Sequence, residues 1–258
     1  MMKKLTGRIV KNAEFRFYEE LNDFLPEERR KISFNYSFTG RTSVKDMIES
    51  LGVPHTEVDM ILVNGYSVDF DYIVEAGDRI SVYPVFESLD ITDVQHLRNK
   101  PLRIPAFIAD VHLGSLAKYL RMLGIDVLYR NDFSDIEIIE TSLKERRVIL
   151  TKDRELLKNN KITHGYWIRN KRTEEQVKEV ILRFDLKNNI CVFLRCLDCN
   201  NILVPIEKAG IEERIPPKVK LHHNEFWYCQ YCDKVYWKGT HYEKMSKFIE
   251  QLRNELQF

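Results

Sequence analysis

Residues 106–132 read AFIADVHLGSLAKYLRMLGIDVLYRND, and the apolar period changes twice within them. AFIA (106–109) is a short apolar run that ends at Asp110. Leu113, Leu116, Leu120 and Leu123 then recur at the spacing of one helix face, and Gly124 closes the run. IDVLY (125–129) is β-branched and aromatic again, as a strand is. Strand, helix, strand is the unit of a parallel sheet, because parallel neighbours need a crossover and a helix is the usual one. The alternation continues downstream. Ile136, Ile139 and Leu143 mark a helix opened by Ser134-x-x-Glu137, a capping box. RVILT (147–151) is a strand, a short helix follows Asp153, HGYWI (164–168) is a strand, and Val177, Val180, Ile181 and Phe184 mark a longer helix. An α/β domain with a helix-covered parallel sheet is expected over 106–190.

Upstream the pattern differs. Strand-like runs fall at FRFYEEL (15–21), ISFNYSF (32–38), DMILVNG (59–65) and RISVYPVF (79–86). A helix is expected around Ser43–Leu51, with Ser43 as N-cap and Gly52 just past its end. Asn64-Gly65 is a hairpin signal. Strand, strand, helix, strand, turn, strand is the order of an α+β β-grasp, or ubiquitin-like, domain, expected over 1–90. The polar stretch 87–105, ESLDITDVQHLRNKPLRIP, carries two prolines, and the linker is placed at 91–105.

Downstream, Cys196-x-x-Cys199 and Cys229-x-x-Cys232 have the spacing of two knuckles that close round one tetrahedral zinc ion. A zinc ribbon with a terminal helix is expected over 191–258, the helix capped by Thr240-x-x-Glu243 and carrying Met245, Phe248, Ile249 and Leu252 on one face. Cys191, in the apolar stretch NNICVFL, reads as a buried structural thiol. No apolar run approaches the ~20 residues that span a bilayer, and MMKKLTGRIVKNAEF has no signal-peptide core, so a cytoplasmic, membrane-free protein is expected. In that reducing compartment paired cysteines are zinc thiolates rather than disulfides. The net charge of +1 divides into −5 over residues 1–90 and +6 over the remainder, which permits a phosphate-bearing partner without demanding one.

Open parallel sheets bind ligands beyond the carboxyl ends of their strands. Asp110 follows AFIA, Asp153 follows RVILT with Lys152 between, and Asp132 and Asp135 lie in RNDFSD after IDVLY. Carboxylates converging from three such loops repel one another unless a cation is present, and Mg²⁺ or Mn²⁺ is the natural guest. Each acid also has a plainer reading as a helix cap or a first-turn residue. Lys118, Arg121, Lys152 and Arg154 lie near enough in sequence to take phosphates, or are ordinary helix charges. His112 is either a general acid or a packed or surface histidine.

At these residues the chain resembles the mutator-seven C-terminal RNase domain family, with its PIN-like core and zinc ribbon. The resemblance rests on FIADVHLGSLAKYLRMLGIDVLYRND, SDIEII and RVILTKDREL, and continues through RCLDCN, CQYCDKVYWKGTHYEKM and the terminal helix. SLGVPHTEVDMILVNGYSVDF (50–70) and GDRISVYPVFE (77–87) are similar to that family's companion ubiquitin-like domain. The resemblance implies an RNA-cleaving enzyme with Asp110, Asp135 and Asp153 as catalytic, Mg/Mn-binding acids, Asp132 substituting if Asp135 caps its helix. It implies Arg154 as the basic residue after the third acid, with Lys152 where arginine is expected. The β-grasp domain also resembles sulfur carriers, but it runs on into a linker in place of a free Gly-Gly end.

Two functions follow. The first is a metal-dependent ribonuclease using Asp110, Asp135 and Asp153 on Mg²⁺ or Mn²⁺, with Arg121, Lys152 and Arg154 on the substrate and a structural zinc at the four cysteines. Lys218, Lys220, Lys234 and Lys238 and the aromatics Phe226, Trp227, Tyr228, Tyr231, Tyr236 and Trp237 would add RNA contacts, although packing round a small ribbon accounts for most of those rings. The second is a non-catalytic RNA- or ribosome-associated adaptor that binds a protein through its ubiquitin-like domain.

Overall fold

The computed structural model describes residues 4–5, 8–84 and 105–256. The connector 87–105 lies outside the described residues except for Pro105, as does the end of the fourth strand-like run, 85–86. By compactness the chain forms two units, Met1–Arg103 with Asp153–Trp167, and Ile104–Lys152 with Ile168–Phe258.

The first unit contains β1 (Lys4–Leu5), β2 (Arg8–Phe17), β3 (Phe34–Thr39), α1 (Val44–Ser50), β4 (Val58–Val63), β5 (Tyr66–Val68) and β6 (Arg79–Pro84). The sheet runs β1-β2-β6-β4-β5, with β3 also paired to β2. β2 and β6 are parallel and the other pairings antiparallel, the ubiquitin-like arrangement expected. Ser43 caps α1 by accepting the Asp46 N–H (3.1 Å). Asn64 (φ +54°) and Gly65 (φ +90°) are both left-handed, as the tight hairpin turn demands. That turn leads into the short β5, which the sequence reading passed over because three residues show no alternation.

The first expected strand, 15–21, is instead the end of β2 followed by a 3₁₀ turn, Glu19–Phe24. Ala13, Phe15 and Phe17 point inward at period two, whereas Leu21, Phe24 and Leu25 bury at helical spacing. Eighteen buried apolar side chains form this unit's core, with Phe15 and Phe17 among the largest fully buried.

In the second unit β7 (Ala106–Ala109) pairs in parallel with β8 (Val127–Leu128) and β9 (Arg147–Thr151). Around them lie α2 (Gly114–Met122), α3 (Asp135–Glu145) and, after α4 (Arg154–Leu157) and β10 (Gly165–Trp167) of the first unit, α5 (Thr173–Arg183). Leu116, Leu120, Val177, Val180 and Ile181 are buried, so the apolar stripes read from the sequence are the faces that pack. Ser134 and Glu137 form the expected capping box at α3. Gly124 ends the α2 segment at φ +84°, and a side chain there would stand 2.2 Å from the Cys191 carbonyl oxygen.

The Cys191 backbone is packed against that turn. Its N–H donates to Leu123 O (2.9 Å) while its thiol side is exposed, which corrects the expectation of a buried thiol. The ribbon sheet is β11 (Val204–Ile206), β12 (Phe226–Cys229) and β13 (Lys234–Trp237), all antiparallel, with α6 (Pro217–His222) between the first two. The terminal α7 (Thr240–Leu256) buries Ile249 and Leu252 and sets Phe248 edge-on to Tyr119 (5.1 Å). The side chains of Thr240 and Met245 lie outside the described residues.

Candidate metal centre and carboxylate loops

Both Cys-x-x-Cys pairs turn through a left-handed residue immediately after the second cysteine, Asn200 (φ +69°) and Asp233 (φ +58°). This folds each pair back on itself. The four Sγ atoms lie within 4.8 Å of one another, with 3.3 Å for Cys196–Cys232, 3.3 Å for Cys199–Cys229 and 3.7 Å for Cys199–Cys232. Four sulfurs at 2.3 Å from a tetrahedral zinc stand about 3.8 Å apart. Donor set and spacing are therefore those of a structural zinc site. Burial and the neighbouring sulfurs push the Cys232 thiol up, and a central dication is what reverses that and ionises the ligands. Around this shell Tyr236 Oη donates to Cys196 Sγ (3.1 Å) and Asn201 Nδ2 to Cys199 Sγ (3.5 Å).

The knuckle is fastened to α2 and β8 by two side chains. Arg121 is 3% exposed, and its guanidinium donates to Val127 O (2.8 Å), Leu197 O (3.1 Å), Asp198 O (2.8 Å) and Tyr129 O (3.4 Å). Its donors are spent on carbonyls away from solvent, so the residue expected to face a phosphate holds the first knuckle instead. Asp126 accepts from Arg147 Nη1 (2.6 Å) and Asn200 Nδ2 (2.8 Å) and pairs with Arg195 Nη2 (3.0 Å). Burial alone would raise its carboxyl, but these hydrogen bonds and both guanidinium charges outweigh it and hold it below the usual range. The sequence reading missed this network. One clue was available: Asp126 is a charge inside an otherwise apolar strand, and such a charge needs a partner.

Asp110 sits directly past the carboxyl end of β7 and is 5% exposed. Its Oδ1 accepts the His112 N–H (2.7 Å), and its Oδ2 accepts from Thr151 Oγ1 (2.5 Å) and, at 3.4 Å, from the Lys152 N–H. Asp135 opens α3, is exposed, and has no hydrogen-bond partner among the described residues. Asp132 is exposed and ion-paired to Arg130 (2.8 Å). Asp153, in the first unit, caps α4 by accepting the Glu155 N–H (2.8 Å). Among the described residues the cysteine quartet is the one group of three or more such ligands lying mutually within 4.8 Å.

The other two basic residues expected at the substrate, Lys152 and Arg154, also have protein partners. Lys152 Nζ donates to Asn170 O (2.7 Å). Arg154 lies 3.8 Å above the Trp167 ring, with Phe24 at 5.1 Å, inside the first unit. The same unit joins residues 153–167 to the ubiquitin-like core through Trp167 N–H to Glu57 Oε1 (2.6 Å) and His55 Nε2 to Ile162 O (2.9 Å).

A ubiquitin-like domain, a parallel-sheet α/β domain and a four-cysteine centre with the geometry of a zinc site together define the class of architecture. Residues 105–249 match the family model of the Mut7-C RNAse domain, and residues 10–90 that of the Mut7-C ubiquitin domain; the chain belongs to the Mut7-C RNAse family. That membership points to a nuclease-type function with RNA as the partner. No curated protein and no solved structure matches the chain. No helix among the described residues is long and apolar enough to cross a membrane.

Proposed function

We propose that the protein is a metal-dependent ribonuclease with a PIN-like core, in which Asp110, Asp135 and Asp153 hold Mg²⁺ or Mn²⁺ and the four cysteines hold a structural zinc. The observation that carries this is the RNAse-domain match over 105–249 together with Asp110 just beyond the carboxyl end of β7, where open parallel sheets take their ligands. Carboxylate oxygens are the hard donors these ions prefer, and the exposed Asp135 leaves its own without a protein partner among the described residues. A bound ion would acidify a water and neutralise the scissile phosphate. Thr151 and the His112 N–H fix the Asp110 carboxylate in one orientation, so a ligand there is preorganised. Lys152 and Arg154, beside the third acid, are the cations nearest in sequence to take the substrate.

One observation favours a second reading, a non-catalytic RNA-associated adaptor that binds a protein through its ubiquitin-like domain: Asp110 and Asp153 each close a turn, which is reason enough for an aspartate. The two are separated by incubating the zinc-loaded protein with single-stranded and structured RNA and Mn²⁺. Cleavage by wild type that drops at least a hundredfold in Asp110→Asn and Asp153→Asn supports the enzyme. Equal, negligible cleavage by all three leaves the adaptor.

A further inference from the structure

Between α2, the ribbon and α7 the second unit contains a cavity of about 280 Å³, walled by Phe193, Arg195, Leu203, Tyr236, Trp237 and Tyr242. It is close to the lower limit of small-molecule sites, about 300 Å³, so it admits one flat group rather than a helix or an extended peptide. The walls are largely aromatic. Phe193 stacks on Trp227 at 4.2 Å with the planes 5° apart, and on Tyr242 at 5.1 Å and 23°. Phe193 does this from a left-handed backbone, φ +61°, a conformation bulky residues seldom adopt and one that must be held by its surroundings.

The polar part of the wall is sparse and fixed. Arg195 is oriented by Gly124 O (3.2 Å), Asn200 O (3.0 Å) and Asp126. Trp237 Nε1 and Tyr242 Oη have no hydrogen-bond partner among the described residues, which leaves a donor and a donor–acceptor for the edge of a guest. Gly239 lets Trp237 sit close in the wall, since a Cβ there would stand 2.6 Å from Trp237 Nε1.

We propose that this cavity binds a single unpaired nucleobase of an RNA strand, lodged among the Phe193, Tyr236 and Tyr242 side chains and read at its edge by Trp237 and Tyr242. The choice of a nucleobase among flat aromatic guests rests on the ribonuclease reading. Single-stranded RNA offers bases that can be splayed out and stacked on aromatic side chains, and a duplex does not.

The test measures binding of the zinc-loaded full chain, without added Mg²⁺ or Mn²⁺, to three probes: a short uridine or adenosine homopolymer, an abasic strand with the same sugar-phosphate backbone, and the free mononucleotides. The proposal expects the base-bearing strand to bind roughly 10- to 100-fold more tightly than the abasic one. Phe193→Gly removes the ring and relaxes the backbone, and should lower binding to the abasic level with zinc content unchanged. Gly239→Val displaces Trp237 from the cavity wall while leaving Phe193 in place, and should do the same. Equal binding of base-bearing and abasic strands overturns the proposal, as does wild-type affinity in both variants. Mononucleotide binding without any preference for the base-bearing strand overturns it too, and marks a free-nucleotide site. Cleavage is scored separately with Mn²⁺. RNA that is cut normally by variants with unchanged affinity sinks the pocket alone, whereas base-dependent, pocket-dependent binding without cleavage sinks the nuclease alone.

Discussion

The ubiquitin-like core and the ribbon reach order by opposite means. The first buries eighteen apolar side chains in one cluster, and its sheet and helix are held by their own packing. The cluster round the four cysteines has only Leu203 besides Cys196 and Cys229 as buried members, and a second small cluster adds Ile211, Ile215 and Phe226. Removal of apolar area from water is therefore a smaller part of what shapes the ribbon, and a metal held by the four cysteines, with charge-assisted hydrogen bonds, would supplement it. A small subdomain can thus carry irregular loops and exposed rings that a hydrophobic core of that size would not hold in place.

The sharpest break in this comparison is Cys229→Ser. Structural zinc in small fingers is worth roughly 10–16 kcal/mol, so losing one ligand should empty the site and unfold the ribbon. Metal analysis should fall from about one zinc per chain, and amide spectra should lose the ribbon signals while those of the ubiquitin-like core persist. A ribbon that keeps its spectrum without metal would refute the division. In the other region Phe17→Ala should cost about 3–5 kcal/mol in the melting of the N-terminal core and leave zinc content unchanged.

The Asp126 network comes next. Asp126→Asn leaves Arg147 and Arg195 without their shared carboxylate and should cost about 3 kcal/mol in thermal unfolding of the second unit. Because the folded carboxyl is held below its unfolded value, its contribution is full above about pH 4 and is lost as the pH falls through the depressed value. Wild type should therefore lose stability in that acid range more steeply than Asp126→Asn, and parallel curves would remove the network's role. The smallest effect is Ser134→Ala, which removes the capping box of α3 and should cost about 1 kcal/mol by denaturant titration.

What could be read beforehand was whatever repeats locally. The leucines of α2, the Ser134 box, the Asn64-Gly65 turn and the two cysteine pairs each announce their structure within a few residues. What stayed hidden depends on distant partners. Arg121 looks like any helix cation until residues 197 and 198 are beside it. Arg154 likewise becomes a stacked cation only once Trp167 is placed. Cys191 sits in an apolar string, yet its side chain faces out because its backbone is pinned against Leu123 and Gly124. Of the candidate carboxylates, Asp110 and Asp153 were legible both as strand-end acids and as helix caps; the Asp110 bond to Thr151 was not.

Arg121 also imposes an order on biosynthesis. It leaves the ribosome 76 residues ahead of the first knuckle carbonyl that neutralises its donors. Until those later residues are made and the ribbon has closed, a nascent chain carries a guanidinium whose final place is dry but which lacks two of its four acceptors, which disfavours early closure of the end of α2. A chain truncated before the knuckle, or one starved of metal, keeps that defect, and so stays open to the proteases that clear unfinished protein.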